Sequence, residues 1–144
     1  MTHTWQRDLK LIRFLPMLVM MTAIFIMSSQ TGDSLNLPDI ANIDKLYHAL
    51  EYGTLAASVL FGLHPASRSL RPAAIAGLTI LFCAAYGTSD EFHQIFVPLR
   101  DASLADIMAD TSGAVLIATL WWYINKSCNH KSGQLMEEKN HADL

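Results

Sequence analysis

The sequence predicts an all-α protein, an integral membrane four-helix bundle with up-and-down helix order and both termini in the cytoplasm. The first indication is composition, since 51% of the 144 residues are hydrophobic and only 16% are charged, against about 25% in an ordinary soluble domain. The second is that four long stretches carry no Asp, Glu, Lys or Arg. These stretches are Phe14 to Gly32, Tyr52 to Ser67, Pro72 to Ser89 and Thr111 to Asn125.

Each stretch is predicted to be a helix, because backbone that crosses lipid must satisfy its hydrogen bonds internally and no strand-like alternation is visible. At about 1.5 Å per residue, the uncharged stretches alone fall short of a hydrocarbon core of about 30 Å. Each span therefore takes in residues from a polar flank. The predicted spans are residues 11–30, 46–63, 73–90 and 104–125, within a membrane domain of residues 1–126 that is followed by a polar cytoplasmic tail, 127–144.

The connections fit this order. Residues Thr31 to Ile43 contain Gly, Asn and Pro and are predicted to be a loop, and the short link from Leu63 to Pro72 makes the second and third spans an antiparallel hairpin. Small residues such as Gly53 and Gly113 are predicted to let helices approach closely. Basic residues precede the first span, as in a signal peptide, but no Ala-x-Ala pattern follows it, which favours an uncleaved span.

The distribution of Lys and Arg predicts the orientation, because basic residues accumulate in cytoplasmic loops. Two basic residues, Lys45 and Arg100, fall on one side of the four spans. Eight fall on the other side: Arg7, Lys10, Arg13, Arg68, Arg71, Lys126, Lys131 and Lys139. Both termini are therefore predicted to be cytoplasmic.

Polar side chains collect at the predicted extracytoplasmic ends of the spans. Asp44, His48 and Tyr52 recur every four residues and so share one helix face, and Asp106 and Asp110 share another. An ionisable group that faces lipid costs at least about 2.5–3.5 kcal/mol. These faces are therefore predicted to point inward and to line a polar pocket.

The candidate residues of this pocket divide by chemistry. The groups suited to acid–base catalysis are His48, Asp90, Glu91, His93 and Asp106. The groups expected to bind a ligand are Gln30, Asp44, Lys45, Tyr52, Ser89, Gln94, Arg100 and Asp110. Arg100 and Lys45 are suited to binding phosphate or carboxylate, and the alternative is that they pair with nearby acidic groups and only position the helices.

The same groups supply ligands for a divalent metal, since His with carboxylates suits Zn, Mn or Fe, and carboxylates alone suit Mg or Ca. The sequence has no compact metal motif such as HExxH, so the ligands would come from different helices. The candidates are His48, Asp90, His93 and Asp106. Acid–base chemistry without a metal stays open as the alternative.

Three motifs follow one another along the chain: DKLYHALEY at Asp44 to Tyr52, YGTSDEFHQIFVPLR at Tyr86 to Arg100, and SLADIMADTSGA at Ser103 to Ala114. With the SSQ that begins at Ser28, they resemble the VanZ-like family of small bacterial membrane proteins over about Met27 to Ala114. Asp110 stands where that family usually has Asn. The resemblance implies a multi-pass protein of the bacterial inner membrane, in a family named for a protein associated with low-level teicoplanin resistance.

The predicted function is recognition of an anionic cell-envelope molecule, such as a phospholipid or a lipid-linked wall precursor, at the extracytoplasmic membrane face. The alternative is a membrane-embedded hydrolase or transferase that acts on phosphate-containing lipids, with metal dependence left open. The sequence contains no complete catalytic motif, which favours recognition. A net charge of -3 argues against a nucleic-acid partner and leaves the lipid bilayer as the expected surroundings.

Overall fold

The computed structural model describes residues 11–32, 42–64 and 70–142, with side chains as far as Lys126. Within these residues the protein is all-α and has no strand, as the sequence predicts. The four helices of the described residues are α1 (Leu15–Ser28), α2 (Ile43–Leu63), α3 (Pro72–Gln94) and α4 (Leu104–Ala142).

Local sequence sets several helix boundaries. Pro72 is the first residue of α3 and Pro16 lies in the first turn of α1, where the missing backbone N–H has no helical partner to lose. Ser103 precedes α4, and its hydroxyl accepts a hydrogen bond from the N–H of Ala105 at 3.1 Å. Asn42, which precedes α2 with a φ of 61°, is one of the residue types that adopt this left-handed conformation most readily.

All four helices differ in length from the predicted spans, and α2 differs only by beginning three residues earlier, at Ile43. Helix α1 has only 14 residues. Helix α3 continues past residue 90 to Gln94, because the Gln94 amide donates a hydrogen bond to Asp90 one turn earlier, at 3.3 Å, and both side chains are buried. Helix α4 continues past residue 125 to Ala142, through a segment without a proline to end it. Most of the predicted polar tail is therefore an extension of α4.

Consecutive helices run in alternating directions. Ser28 at the end of α1 contacts Asp90 near the end of α3, and His48 near the start of α2 contacts Asp110 near the start of α4. At the opposite end of the bundle, the ring of Phe14 packs against Gly62 near the end of α2. The end that carries Ser28, His48, Asp90 and Asp110 is termed the polar end.

Helices α2 and α4 form the most extensive pairing in the bundle. Gly113 on α4 lies directly against the backbone of Ala49 on α2, and a β-carbon at Gly113 would overlap the Ala49 carbonyl. A β-carbon at Gly53 would stand 3.4 Å from Ile117, which is ordinary contact. The close approach predicted from small residues therefore depends on Gly113 more than on Gly53.

The bundle buries acidic side chains beside its hydrophobic core and exposes large apolar side chains on its exterior. Asp110, Glu91 and Asp90 are 0%, 2% and 5% exposed, whereas Leu81 and Leu116 are 66% and 68% exposed. Two segments, all of α3 and Leu104–Lys126 of α4, are long and apolar enough to cross a membrane. Only 28% and 22% of their apolar windows are buried, unlike the core helix of a soluble protein, which is mostly buried.

Replacing Gly113 with alanine is expected to lower the free energy of unfolding by about 1–3 kcal/mol, because the added methyl group must displace the Ala49 backbone. Gly77→Ala is the matched control, since nothing lies within 4 Å of a β-carbon there and alanine favours a helix interior over glycine by about 0.5–1 kcal/mol. Unfolding of both purified variants in detergent measures the difference. Equal stability would contradict the close contact.

Candidate functional site

A cavity of about 260 Å³ lies at the polar end of the bundle and is termed the polar cavity. Helices α1, α2 and α3 and the loop after α3 contribute to its walls. The lining residues are Met27, Ser28, Asp44, Tyr47, His48, Glu51, Asp90, Gln94 and Arg100. The fold therefore brings polar groups from distant parts of the sequence to one place, as expected for inward-facing polar helix faces.

Asp90 forms one wall of the polar cavity and links α1 to α3. The Ser28 hydroxyl donates a hydrogen bond to Oδ1 of Asp90 at 2.7 Å, and the Gln94 amide donates to Oδ2 at 3.3 Å. All three residues are buried. Both carboxylate oxygens of Asp90 therefore have neutral hydrogen-bond donors, and no cation of the described residues lies within ion-pair distance of them.

Arg100 is held at the cavity by the main chain of the α1 end. Its Nε donates to the carbonyl of Gln30 at 3.1 Å, and its Nη2 donates to the carbonyl of Met27 at 2.9 Å. No carboxylate of the described residues lies within ion-pair distance of Arg100. The side-chain amide of Gln30 is exposed and donates to the backbone carbonyl of Ile26 in α1. The backbone carbonyl of Gln30, and not its side chain, therefore belongs to the site.

Three ionisable side chains meet beside the cavity: His48 of α2, Glu91 of α3 and Asp110 of α4. Nδ1 of His48 lies 2.9 Å from Oδ1 of Asp110, and one ligand atom from each side chain lies within 4.8 Å of the others. These residues are termed the buried cluster. Gly87 makes room for it, since a β-carbon there would stand 2.8 Å from Oδ2 of Asp110 and 3.2 Å from the ring of Tyr52.

The buried cluster is tied to the start of α4. Oε2 of Glu91 accepts a hydrogen bond from the backbone N–H of Ser103 at 2.9 Å. Its other oxygen, Oε1, is buried without a hydrogen-bond partner among the described residues, as are Oδ2 of Asp110 and the hydroxyl of Tyr52. Three polar atoms with unused bonding capacity therefore lie on the facing sides of α2, α3 and α4.

Lys45 lies between two carboxylates at the polar end. Its ammonium is 2.7 Å from Asp44 and 2.9 Å from Asp106. The hydrogen bond with Lys45 lowers the pKa of Asp44, and the hydrogen bonds with Asp44 and Asp106 raise the pKa of Lys45. Lys45 therefore forms ion pairs within the protein, whereas Arg100 has no carboxylate of the described residues within ion-pair distance.

Of the thirteen predicted site residues, eight do not line the polar cavity, and two of these, His93 and Ser89, are turned away from it. The ring of His93 stacks on Phe25 of α1, with ring centroids 4.8 Å apart, and its Nε2 lies 3.1 Å from the hydroxyl of Ser29. Ser89 is exposed on α3. Helix α3 thus turns these side chains away from the cavity that Asp90 and Gln94 line.

The structure places one of the four predicted metal ligands, His48, in the buried cluster. Each of the others has a partner elsewhere, on α1 or on Lys45. Asp90 and Glu91 separate because consecutive helical residues point about 100° apart, so that Asp90 faces α1 while Glu91 faces α4. The cluster contains Glu91 and Asp110 in place of the predicted Asp90, His93 and Asp106.

Sequence reasoning left Ser28 and Glu51 out of the candidate set and missed Tyr47. A signal for each was present. Ser28 lies four residues after Ile24, the other buried residue of α1, so the two share a face. Tyr47 and Glu51 lie three and seven residues after Asp44, which is the spacing of one helix face.

Comparison with known proteins gives one match. A family model described as VanZ/LLP1 matches residues 9–125 of the chain, a stretch that includes every residue of the polar cavity and the buried cluster. No curated protein and no solved structure shows a significant match to the chain.

The Ser28–Asp90 hydrogen bond is expected to show a coupling energy of about 1–2 kcal/mol in a double-mutant cycle of Ser28→Ala and Asp90→Ala, because a hydroxyl donates to a buried carboxylate. The matched cycle uses Ser29→Ala and His93→Ala, an exposed pair at the same end, and is expected to give under about 0.5 kcal/mol. The free energy of unfolding in detergent is the measurement. Coupling of similar size in both cycles would contradict the assigned burial.

Proposed function

The chain belongs to the VanZ/LLP1 family, and we propose that it is a multi-pass protein of the bacterial inner membrane whose polar cavity binds the headgroup of a phosphate-bearing envelope lipid. In this proposal the cavity lies at the extracytoplasmic face and both termini lie in the cytoplasm. The observation that carries the proposal is the unpaired charge of Arg100 at the cavity.

The surface of the bundle supports a membrane location. Large apolar side chains are exposed along the helices, among them Leu18 at 53%, Leu81 at 66% and Leu116 at 68%. In water such a surface favours aggregation, whereas in a bilayer it contacts hydrocarbon. The carboxylates of Asp90, Glu91 and Asp110 are instead buried, which suits lipid because a lipid-facing charge is costly.

The basic residues support the proposed orientation. Arg13 and Arg71 lie at the starts of α1 and α3, and Lys126 lies within α4, all far from the polar end. The polar end carries Lys45 and Arg100. Because basic residues favour the cytoplasmic side, the polar end is assigned to the extracytoplasmic side.

Arg100 is suited to holding a phosphate. The carbonyls of Met27 and Gln30 orient its guanidinium without neutralising it. A planar guanidinium binds phosphate oxygens through paired hydrogen bonds, and its charge does not titrate in the physiological range. A lipid phosphate at the membrane surface is the anion that such a group meets most often.

The remaining walls of the cavity narrow the ligand class. Asp44, Glu51 and Asp90 line it, and carboxylates accept hydrogen bonds from hydroxyl and ammonium groups. A headgroup that combines a phosphate with such donors therefore suits the cavity better than a bare phosphate. Two kinds of envelope lipid share this chemistry: a glycerophospholipid with an amine headgroup, and a lipid-linked wall precursor with sugar hydroxyls.

A second candidate function rests on the His48–Asp110 pair. A carboxylate that orients an imidazole next to a cavity is the arrangement of many general bases, and here the two groups lie 2.9 Å apart. This pair favours a membrane-embedded hydrolase or transferase that acts on the phosphate-containing lipid. Turnover that is lost in His48→Ala and kept in His93→Ala would favour catalysis, and saturable binding without turnover would favour recognition alone.

Arg100→Gln is expected to weaken lipid binding about tenfold or more, because hydrogen bonds to a charged group contribute about 1.5–3 kcal/mol. Arg71→Gln is the matched control, since Arg71 is an exposed arginine at the opposite end of α3. Fluorescence titration in an uncharged maltoside detergent compares labelled phosphatidylethanolamine, a polyprenyl-diphosphate-linked sugar and a polyprenyl monophosphate.

The first two lipids distinguish the two sources of the headgroup, and the monophosphate, which lacks further donors, is expected to bind more weakly than at least one of them. Equal affinity of Arg100→Gln and Arg71→Gln for every lipid would contradict the proposal. So would the absence of saturable binding to all three.

The orientation has its own measurement. Reporter fusions after Gln30 and after Arg100 are expected to be extracytoplasmic, because both positions lie at the polar end, and a fusion after Leu70, between α2 and α3, is expected to be cytoplasmic. Alkaline phosphatase and green fluorescent protein fusions report the two sides in complementary fashion. The reverse pattern would place the polar cavity on the cytoplasmic side of the membrane and exclude an extracytoplasmic ligand.

A further inference from the structure

In their ionised forms, the carboxylates of the buried cluster carry more negative charge than the surrounding protein offsets. Glu91 and Asp110 are 2% and 0% exposed, and the described cation in contact with either of them is the imidazole of His48. Lys45 forms ion pairs with Asp44 and Asp106, and Arg100 donates hydrogen bonds to backbone carbonyls. Two buried carboxylates thus share one group that carries at most a single positive charge.

The cluster also leaves bonding capacity unused. Oε1 of Glu91 and Oδ2 of Asp110 are buried and have no hydrogen-bond partner among the described residues, and the same holds for the hydroxyl of Tyr52. Buried polar atoms nearly always have a partner, because leaving one unsatisfied is unfavourable. Two carboxylate oxygens and one hydroxyl in the same region therefore have bonding capacity that a cation or another polar group could use.

We propose that His48, Glu91 and Asp110 bind a divalent transition-metal ion such as Zn²⁺ or Mn²⁺. One imidazole and two carboxylates form a donor set that these ions accept, whereas an all-oxygen set would favour Mg²⁺ or Ca²⁺. A divalent cation would offset both carboxylate charges and occupy the unused lone pairs. Three protein ligands leave at least one coordination position for water or for a ligand atom.

The spacing of the three side chains fits this assignment. Nδ1 of His48 and Oδ1 of Asp110 are 2.9 Å apart, and neighbouring donor atoms around one ion with bonds of about 2.0–2.2 Å are separated by about 3 Å. The ligand atoms of all three side chains lie within 4.8 Å of one another. Donor atoms around a tetrahedral ion with such bonds are about 3.4 Å apart, so binding requires the most distant side chains to approach by about 1.5 Å.

The site would lie next to the polar cavity, because His48 belongs both to the cluster and to the cavity wall. The proposed metal site does not depend on lipid recognition, because its three ligands are all side chains of the protein. It does imply that a ligand phosphate in the cavity would meet two cations, Arg100 on the α1 side and the metal ion on the α4 side.

The test is metal binding by the full-length protein, purified in detergent and stripped with a chelator. Titration calorimetry with Zn²⁺, Mn²⁺ and Mg²⁺ is expected to give one site per chain for a transition metal and weaker or no binding for Mg²⁺. Co²⁺ provides a spectroscopic probe, because visible absorption bands appear when imidazole and carboxylate ligands replace its water. The bound ion is also expected to raise the unfolding temperature.

The variants Asp110→Asn and Glu91→Gln preserve shape and are expected to weaken binding about tenfold or more. His93→Ala is the matched control, a histidine at the same end of the bundle that lies outside the cluster, and it is expected to bind as the wild type does. Thermal unfolding without metal shows that each variant is folded. Absence of one-to-one metal binding by the folded wild type overturns the proposal, as does binding that survives in both cluster variants.

Discussion

The structure depends on keeping ionisable side chains away from an apolar exterior and against one another. Asp90, Glu91 and Asp110 are buried while Leu, Ile, Val and Phe side chains cover the outside, so each carboxylate needs a donor from another part of the chain. Asp90 finds one on α1, Glu91 in the loop before α4, and Asp110 on α2. These polar contacts join α1 to α3, α3 to the start of α4, and α2 to α4, beside a hydrophobic core to which all four helices contribute.

The loop between α3 and α4 connects the polar cavity to the buried cluster. Its residue Leu99 has a φ of 61° and lies against Gly32, whose N–H donates to the carbonyl of Pro98 at 3.3 Å. A side chain at position 32 would overlap the Leu99 carbonyl, so glycine is required there. Arg100 then reaches back to the end of α1, and Ser103 donates to Glu91. One short loop thus positions the cation of the cavity and a carboxylate of the cluster.

The all-α architecture, the number of helices among the described residues and the gathering of polar groups at one end could be predicted, because uncharged stretches and the four-residue spacing of polar side chains are visible in the sequence itself. Which polar side chains contact each other could not be predicted. Whether Asp90 or Glu91 joins His48 depends on the rotation of α3 about its axis, which is set by close packing at positions such as Gly87. Arg100 binds backbone carbonyls, and such partners leave no side-chain pattern to detect.

Lipid contact of the apolar exterior is tested most directly by nitroxide spin labels at positions 116 and 101, one at a time, in a chain without its native cysteines and reconstituted in bilayers. Leu116 is 68% exposed on α4, and Asp101 is exposed in the loop at the polar end. The label at 116 is expected to be reached by dissolved oxygen and not by a water-soluble nickel chelate, and the label at 101 by the chelate. Chelate access at 116 equal to that at 101 would contradict an apolar exterior that contacts lipid.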